Sequence, residues 1–396
     1  MKTIHFFALL SGLILTSACS DNLSMNTEIR ADGSCRREIW FKPKSSGVLT
    51  DSTFSRDGVI GDVLDNGTWQ KRCKFNGTRE ELPYPLSQAQ YDSVAALCAA
   101  NGKAPTDTLS IHAWREFPSV GEMAGNWPVF IGCERLKADA KLEKQFRWFY
   151  TDYTFSETFE CLMPKFSIPL TNFLTQDDIN FWLTGKPDLL DGMPGCEMSG
   201  YLTTYEKLFN RWVNANLCND VALVIAKYYD SIPNPPMPRD AFVATWDSLA
   251  HNLENFPDTW CDDPTALVFR DKFHTDFYEK LAEDEFWKKK FDEEGKNDFY
   301  ADLLAFECDY SVFSMPGKIE ETPHWDLDPD VKYWPTYYNH TRSGFHYRLK
   351  GYNLLATNNT LVVCSREKNL WACAVTKLFA LAVLVLSVRF LWRIGR

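Results

Sequence analysis

Apolar residues in this chain fall into three kinds of pattern. Each end carries a predominantly apolar run, Ile4 to Leu15 and Leu370 to Phe390, the second interrupted by Lys377. The stretches next inward alternate, and the middle repeats at helical spacing. Residues 24–42, SMNTEIRADGSCRREIWFK, alternate on both sides of Asp32-Gly33. That pattern predicts a β-hairpin closed by a tight type I′ turn. Ser87 to Ala100 has helical spacing and stops at Asn101-Gly102, and Thr106 to Phe117 reads as a strand. Leu142 to Phe159 is dense in aromatic residues and threonine, as long strands are.

The period then changes. Thr175 and Asp178 open a helix as a variant capping box, and Gly185 closes it. Ser199 to Tyr229 reads as one long helix. PNPPMP at 233–238 is a break, followed by helical segments over Arg239–Phe256, Pro264–Ala282 and Glu283–Phe306. From Cys308 strand patterns return in CDYSVFSMPGKI, GFHYRLKGYNLLA and NTLVVCSRE. The expected fold class is α+β: a mostly antiparallel sheet from N- and C-terminal strands, with a helical insertion. A lone hairpin is marginal in water, so strands 27–41 should join those after Cys308. The joined ends would place both anchors on one side of the body. The expected divisions are 1–18, 19–169, 170–306, 307–368 and 370–392.

The terminal runs differ in kind. Lys2 followed by Ile4–Leu15 has the charge and length of a secretory signal and is too short to span a bilayer. A helix over Leu370–Phe390 reaches ~30 Å, the thickness of a hydrocarbon core. Trp371 and Trp392 bracket it as interfacial aromatics do, and Lys377 can snorkel outward. With the N-terminus exported, Arg389, Arg393 and Arg396 fall on the cytoplasmic side.

Composition narrows the function. A 45% hydrophobic, 15% aromatic chain forms a packed core, and a net charge of −11 argues against nucleic acid as a partner. The 12 cysteines include Cys19 and Cys373, and the other ten are widely spaced with no CxxC pair. That spacing excludes zinc-ribbon and thioredoxin-like sites. Export permits disulfides, so a mixture of bridges and buried thiols is expected.

Candidate chemistry is sparse. Asp326, Asp328 and Asp330 offer alternating carboxylates to a cation such as Ca²⁺. Val331 and Tyr337 occupy positions where an EF-hand needs Gly and Glu, so a solvated acidic turn is the plainer reading. No GxSxG, HExxH, GxGxxG or P-loop occurs, and no cofactor is called for. Glu157 and Glu160 read as solvated strand carboxylates. The aromatic run at 146–155 reads as ordinary strand aromatics or as a platform for stacking on sugar or lipid. In a continuous strand Phe146, Trp148 and Tyr150 would share one face.

Thr16-Ser17-Ala18-Cys19 resembles the bacterial lipobox, with Leu15 one position further out than its usual leucine. The resemblance implies that Cys19 is lipidated and becomes the first residue of the mature chain. Together with Asp32-Gly33, Met315-Pro316-Gly317 and the terminal span, it makes the chain similar in outline to mycobacterial LppM-type envelope lipoproteins. The helical insertion departs from that pattern. Asp-Ser/Thr triplets at Asp51, Asp92, Asp107, Asp230 and Asp247 look like O-glycosylation acceptors of Bacteroidetes envelope proteins. The resemblances imply an inner-membrane lipoprotein with its body in the periplasm. It would bind an envelope protein, glycan or lipid and carry no enzymatic activity. An envelope hydrolase with an unrecognised site is the alternative. Sequons at Asn66, Asn76, Asn339 and Asn358 leave a eukaryotic type I membrane glycoprotein as another.

Overall fold

The alternating stretch at the start of the chain folds as expected into β1 (Leu23–Ile29) and β2 (Cys35–Phe41). Every second residue of each is buried. The turn between them differs from the expectation. Arg30 and Ser34 still pair, leaving a three-residue loop in which Gly33 takes φ 91° and Asp32 stays out of the left-handed region. A type I′ turn needs positive φ at both central residues. Here Asp32 Oδ1 instead accepts from Ser34 N at 2.9 Å and Ser34 Oγ at 2.7 Å, which fixes the wider turn.

The computed structural model describes residues 23–41, 63, 67–75, 81–102, 109–132, 134–184, 187–259, 261, 263–274, 276–320, 344–351, 353–357 and 359–395. After the first hairpin come β3 (Gln70–Phe75), β4 (Glu81–Pro83), helix α1 (Gln88–Ala100), β5 (Leu109–Phe117) and helix α2 (Val120–Gly125). Helix α1 is closed at Ser87 by the full capping box with Gln90. A short pair, β6 (Phe130–Ile131) with β7 (Glu134–Arg135), precedes β8 (Ala138–Phe146) and β9 (Tyr150–Phe159). The late strands are β10 (Glu307–Ser314), β11 (Lys318–Glu320), β12 (Phe345–Lys350) and β13 (Thr360–Lys368).

One sheet runs β12-β10-β1-β2-β5-β3-β4 and the other β11-β13-β9-β8. The first hairpin therefore shares a sheet with strands from beyond Cys308. Two corrections follow. The joint between early and late strands is parallel, Leu23 lying opposite Cys308, so the sheet is mixed. The late strands are also divided: β10 and β12 join the first hairpin, while β11 and β13 pair within the second sheet. Residues 142–159 are not one strand but the greater part of the β8–β9 hairpin, which reverses at Arg147–Tyr150.

The two sheets pack face to face. Met25, Ile39, Ile111 and Tyr310 meet Phe155, Phe159, Leu361 and Val363 in a common buried cluster. An ion pair sits within this layer with no exposed surface on either side chain. Arg37 Nη2 donates to Glu157 at 2.9 and 3.1 Å. Trp127 Nε1 and Tyr310 OH donate to the same carboxylate at 2.6 and 2.7 Å. Glu157 is thus a core residue, against the expectation of a solvated one. It follows Tyr153 and Phe155 on the inward face of β9.

The middle of the chain is helical: α3 (Gln176–Thr184), α4 (Gly195–Lys227), α5 (Arg239–Ala250), α6 (Pro264–Lys272), α7 (Phe277–Glu283), α8 (Glu285–Glu294) and α9 (Asn297–Ala305). Two segments expected as single helices are divided. His274 at φ 51° lies between α6 and α7, and Gly295-Lys296 between α8 and α9. Helix α4 is the centre of this region. Its Asn216 accepts from Ile168 N at 2.8 Å and donates to Ile168 O at 3.1 Å, holding the incoming loop. The helices share the hydrophobic cluster of the sheets.

Strand direction gives the body two poles. At one lie the β8–β9 turn and Lys368, which pairs with Tyr150. The β1–β2 turn lies at this end too, where Lys144 reaches Ala31 O. At the other lie Phe159, the β10 start at Glu307, Lys350 and Leu23. The helical region leaves β9 and re-enters at β10, both at that second pole. Leu23 therefore starts opposite the end at which β13 leaves. The parallel β1–β10 pairing produces this; Cys19, on which the expectation of both anchors on one side turns, lies outside the described residues.

Candidate membrane-anchoring site

Asn369 alone separates β13 from helix α10 (Leu370–Ile394). The most apolar stretch of α10 has a mean hydropathy of 2.1, and 6% of it is buried against the rest of the chain. By length and composition it is able to cross a membrane. Ser387, its one hydroxyl in the apolar half, donates to Val383 O at 2.8 Å and so needs no external partner.

The β8–β9 turn closes on the start of this helix. Asn369 N donates to Phe149 O at 2.9 Å, and Asn369 Nδ2 donates to Arg147 O at 2.7 Å. Thr151 Oγ1 donates to Asn369 Oδ1 at 2.9 Å. Further along, Trp148 Nε1 donates to Thr376 Oγ1 at 2.8 Å. Trp371 stacks on Phe146 at 6.3 Å and meets Trp148 edge-on at 5.4 Å. Phe146, Trp148 and Phe149 nonetheless keep 59, 48 and 44% of their surface exposed. Behind the turn, Asp152 lies between Arg366 at 2.6 Å and Arg147 at 2.9 Å. The hydrogen bond from Arg366 is the main cause that holds the Asp152 carboxyl below its usual range. The turn is thereby fixed to both the second sheet and the helix.

Of the platform residues named from sequence, Phe146 and Tyr150 frame this turn and Trp148 stands at its tip, so they are not one face of a continuous strand. Phe149, Asn369 and Thr376 belong to the same site. The interfacial reading of Trp371 was the one sequence signal pointing to them. Cys19, the carboxylates Asp326, Asp328 and Asp330, and the four sequons lie outside the described residues. Among the described residues, no cluster of three or more His, Cys, Asp or Glu is placed to hold a metal.

The ten described cysteines are all free thiols, which corrects the expectation that some would be bridged. Burial pushes Cys35 and Cys73 up to about 12, and pushes Cys218 and Cys308 up as well. These thiols are therefore protonated and poorly reactive. His112 is held on the sheet by Glu81 at 3.3 Å and by Trp40, which stacks on it at 4.5 Å. Desolvation lowers its pKa, partly offset by Glu81. A small cleft of about 220 Å³ lies elsewhere, lined by Met163, Leu170, Ile179, Leu183, Leu355 and neighbours. No histidine, acid or cysteine lines it.

No family model, curated protein or solved structure matches this chain.

Proposed function

We propose that this chain is an exported protein anchored in a membrane by α10, with a body that binds or scaffolds rather than catalyses. The observation that carries the reading is the bare apolar surface of α10, which the body leaves uncovered. Lipid is the solvent that such a helix requires. Residues 1–18 serve as the export signal and Cys19 as the acylation site, in the manner of an inner-membrane lipoprotein. The body faces the periplasm, and Arg389, Arg393 and Arg396 lie in the cytoplasm.

Three measurements test this. Membranes from expressing cells are washed with alkaline carbonate: the full chain is expected in the pellet, and its appearance in the wash would refute a spanning helix. Spheroplasts are then treated with protease: digestion of the body is expected, and complete protection would refute periplasmic exposure. Fatty-acid labelling of the Cys19→Ala chain tests acylation directly, with loss of label expected.

A further inference from the structure

We infer that the β8–β9 turn is a second membrane contact, in which Phe146, Trp148 and Phe149 enter the headgroup layer of the bilayer that α10 crosses. This rests on the spanning reading of α10 and adds where the body meets the lipid.

The geometry leaves the turn little choice. Trp148 is hydrogen-bonded to Thr376, six residues beyond the helix start at Leu370. At 1.5 Å per residue that point lies about 9 Å along the axis. The 25 residues of α10 extend about 37 Å. A hydrocarbon core is only about 30 Å thick. About 7 Å of helix therefore stands in the headgroup layer. With Ile394 at the far edge of the core and Arg389 and Arg393 snorkelling to the far headgroups, Thr376 lies about 27 Å back along the axis, within about 3 Å of the near edge, and Trp148 is beside it. Lys377 marks the same level independently, because its ammonium must reach water or phosphate.

The side chains at the turn match that environment. Tryptophan, tyrosine and phenylalanine with an apolar body and a polar neighbour are the residues of interfacial belts. Trp371 continues the same group on the helix. Lys368 and Lys377, three and six residues from Trp371 in the chain, bring positive charge suited to lipid phosphate. A soluble body gains little from half-exposed aromatic residues clustered at one hairpin end. The occupant proposed is the phospholipid headgroup and upper acyl region, continuous with the surface that α10 already contacts.

The test uses the full chain in vesicles of phosphatidylcholine and phosphatidylglycerol. An environment-sensitive fluorescent amino acid is introduced by codon suppression at position 149. In a second sample it replaces Leu223, which is exposed on α4, in the helical region that joins the sheets at the opposite pole. At position 149 the expected result is blue-shifted emission, lost when the lipids are brominated near the headgroup. Position 223 should show water-like emission with no quenching. Water-like emission at 149 in carbonate-resistant protein would overturn the inference while leaving the spanning helix intact. Blue-shifted emission at 149 that brominated lipid does not quench would overturn it in favour of a protein partner. Release of the full chain by carbonate would refute the spanning helix and, with it, this contact.

Discussion

Arg37 and Glu157 are the residues on which the two sheets most depend for their alignment. Burying both charges costs free energy that close pairing must offset. Three donors converge on the Glu157 carboxylate and Arg37 Nε donates to Thr27 Oγ1 at 3.3 Å, while Arg37 Nη1 has no hydrogen-bond partner among the described residues. Glu157→Gln removes the counter-charge and leaves the guanidinium buried. The expected loss is about 3–5 kcal/mol of stability, read as the shift in denaturation midpoint of the detergent-solubilised chain. Replacing both partners by apolar residues should recover most of it. A Glu157→Gln chain of unchanged stability would show the network to be peripheral. The alternation of β9 already contained this: Glu157 falls in step with Tyr153, Phe155 and Phe159, and Arg37 in step with Cys35 and Ile39. The identity of each partner was not legible, because they lie 120 residues apart.

His112 gives a pH dependence of known sign. Desolvation lowers its folded pKa below the ordinary histidine value, and Glu81 offsets only part of this. As pH falls below about 6.5, the unfolded chain takes up the proton first and the folded form loses stability. The contribution is fully present above the unfolded pKa and is lost toward the folded one. His112→Gln should flatten that part of the stability profile between pH 7 and pH 5. An unchanged slope would assign it to other groups.

At the scale of elements, turns separate what sequence shows from what it hides. The Asp32-Gly33 turn announced itself through residue types with a mechanical reason to be there. The β8–β9 turn did not. Arg147, Trp148 and Phe149 carry no turn signal, and their aromatic character reads as strand. They form a turn because Asn369, 222 residues away from Arg147, fills their carbonyls. Gly317 is the opposite case, a glycine required by its surroundings. It adopts φ 77°, and a Cβ there would lie 2.1 Å from the Arg366 carbonyl oxygen. Gly317→Ala should cost more than about 1 kcal/mol and loosen the pairing of β11 with β13. Amide exchange of the β13 residues opposite β11, Cys364 to Arg366, checks this. Protection equal to the parent's would refute the steric argument.

On the scale of the whole molecule, the two poles bear on the proposed acylation of Cys19. From Leu23 to Ile29 the first strand rises about 20 Å. The four residue steps from Cys19 to Leu23 extend at most about 14 Å. With the strands along the bilayer normal, Cys19 stops about 6 Å short of the level of Ile29, so an acyl chain there would enter the leaflet beside the β8–β9 turn only in part. On the proposed reading helix α10 is then the stronger anchor. The Cys19→Ala chain is therefore expected to resist carbonate as the parent does, and deletion of residues 370–396 to weaken retention sharply. Release of Cys19→Ala by carbonate would make the N-terminal lipid the principal anchor.

The chain by itself determined whatever depends on neighbours in sequence. The β1–β2 hairpin, helix α1 with its cap at Ser87, the long helix α4 and the apolar terminal helix all follow from local periodicity and residue type. Tertiary structure alone decided the rest. It divided the late strands between two sheets, set β1 parallel to β10, buried Glu157 on Arg37, and folded the aromatic run at 146–150 into a turn on Asn369 and Trp371. Most of these join residues more than 100 positions apart. Their energy comes from burial and pairing across the core, which a linear pattern does not encode.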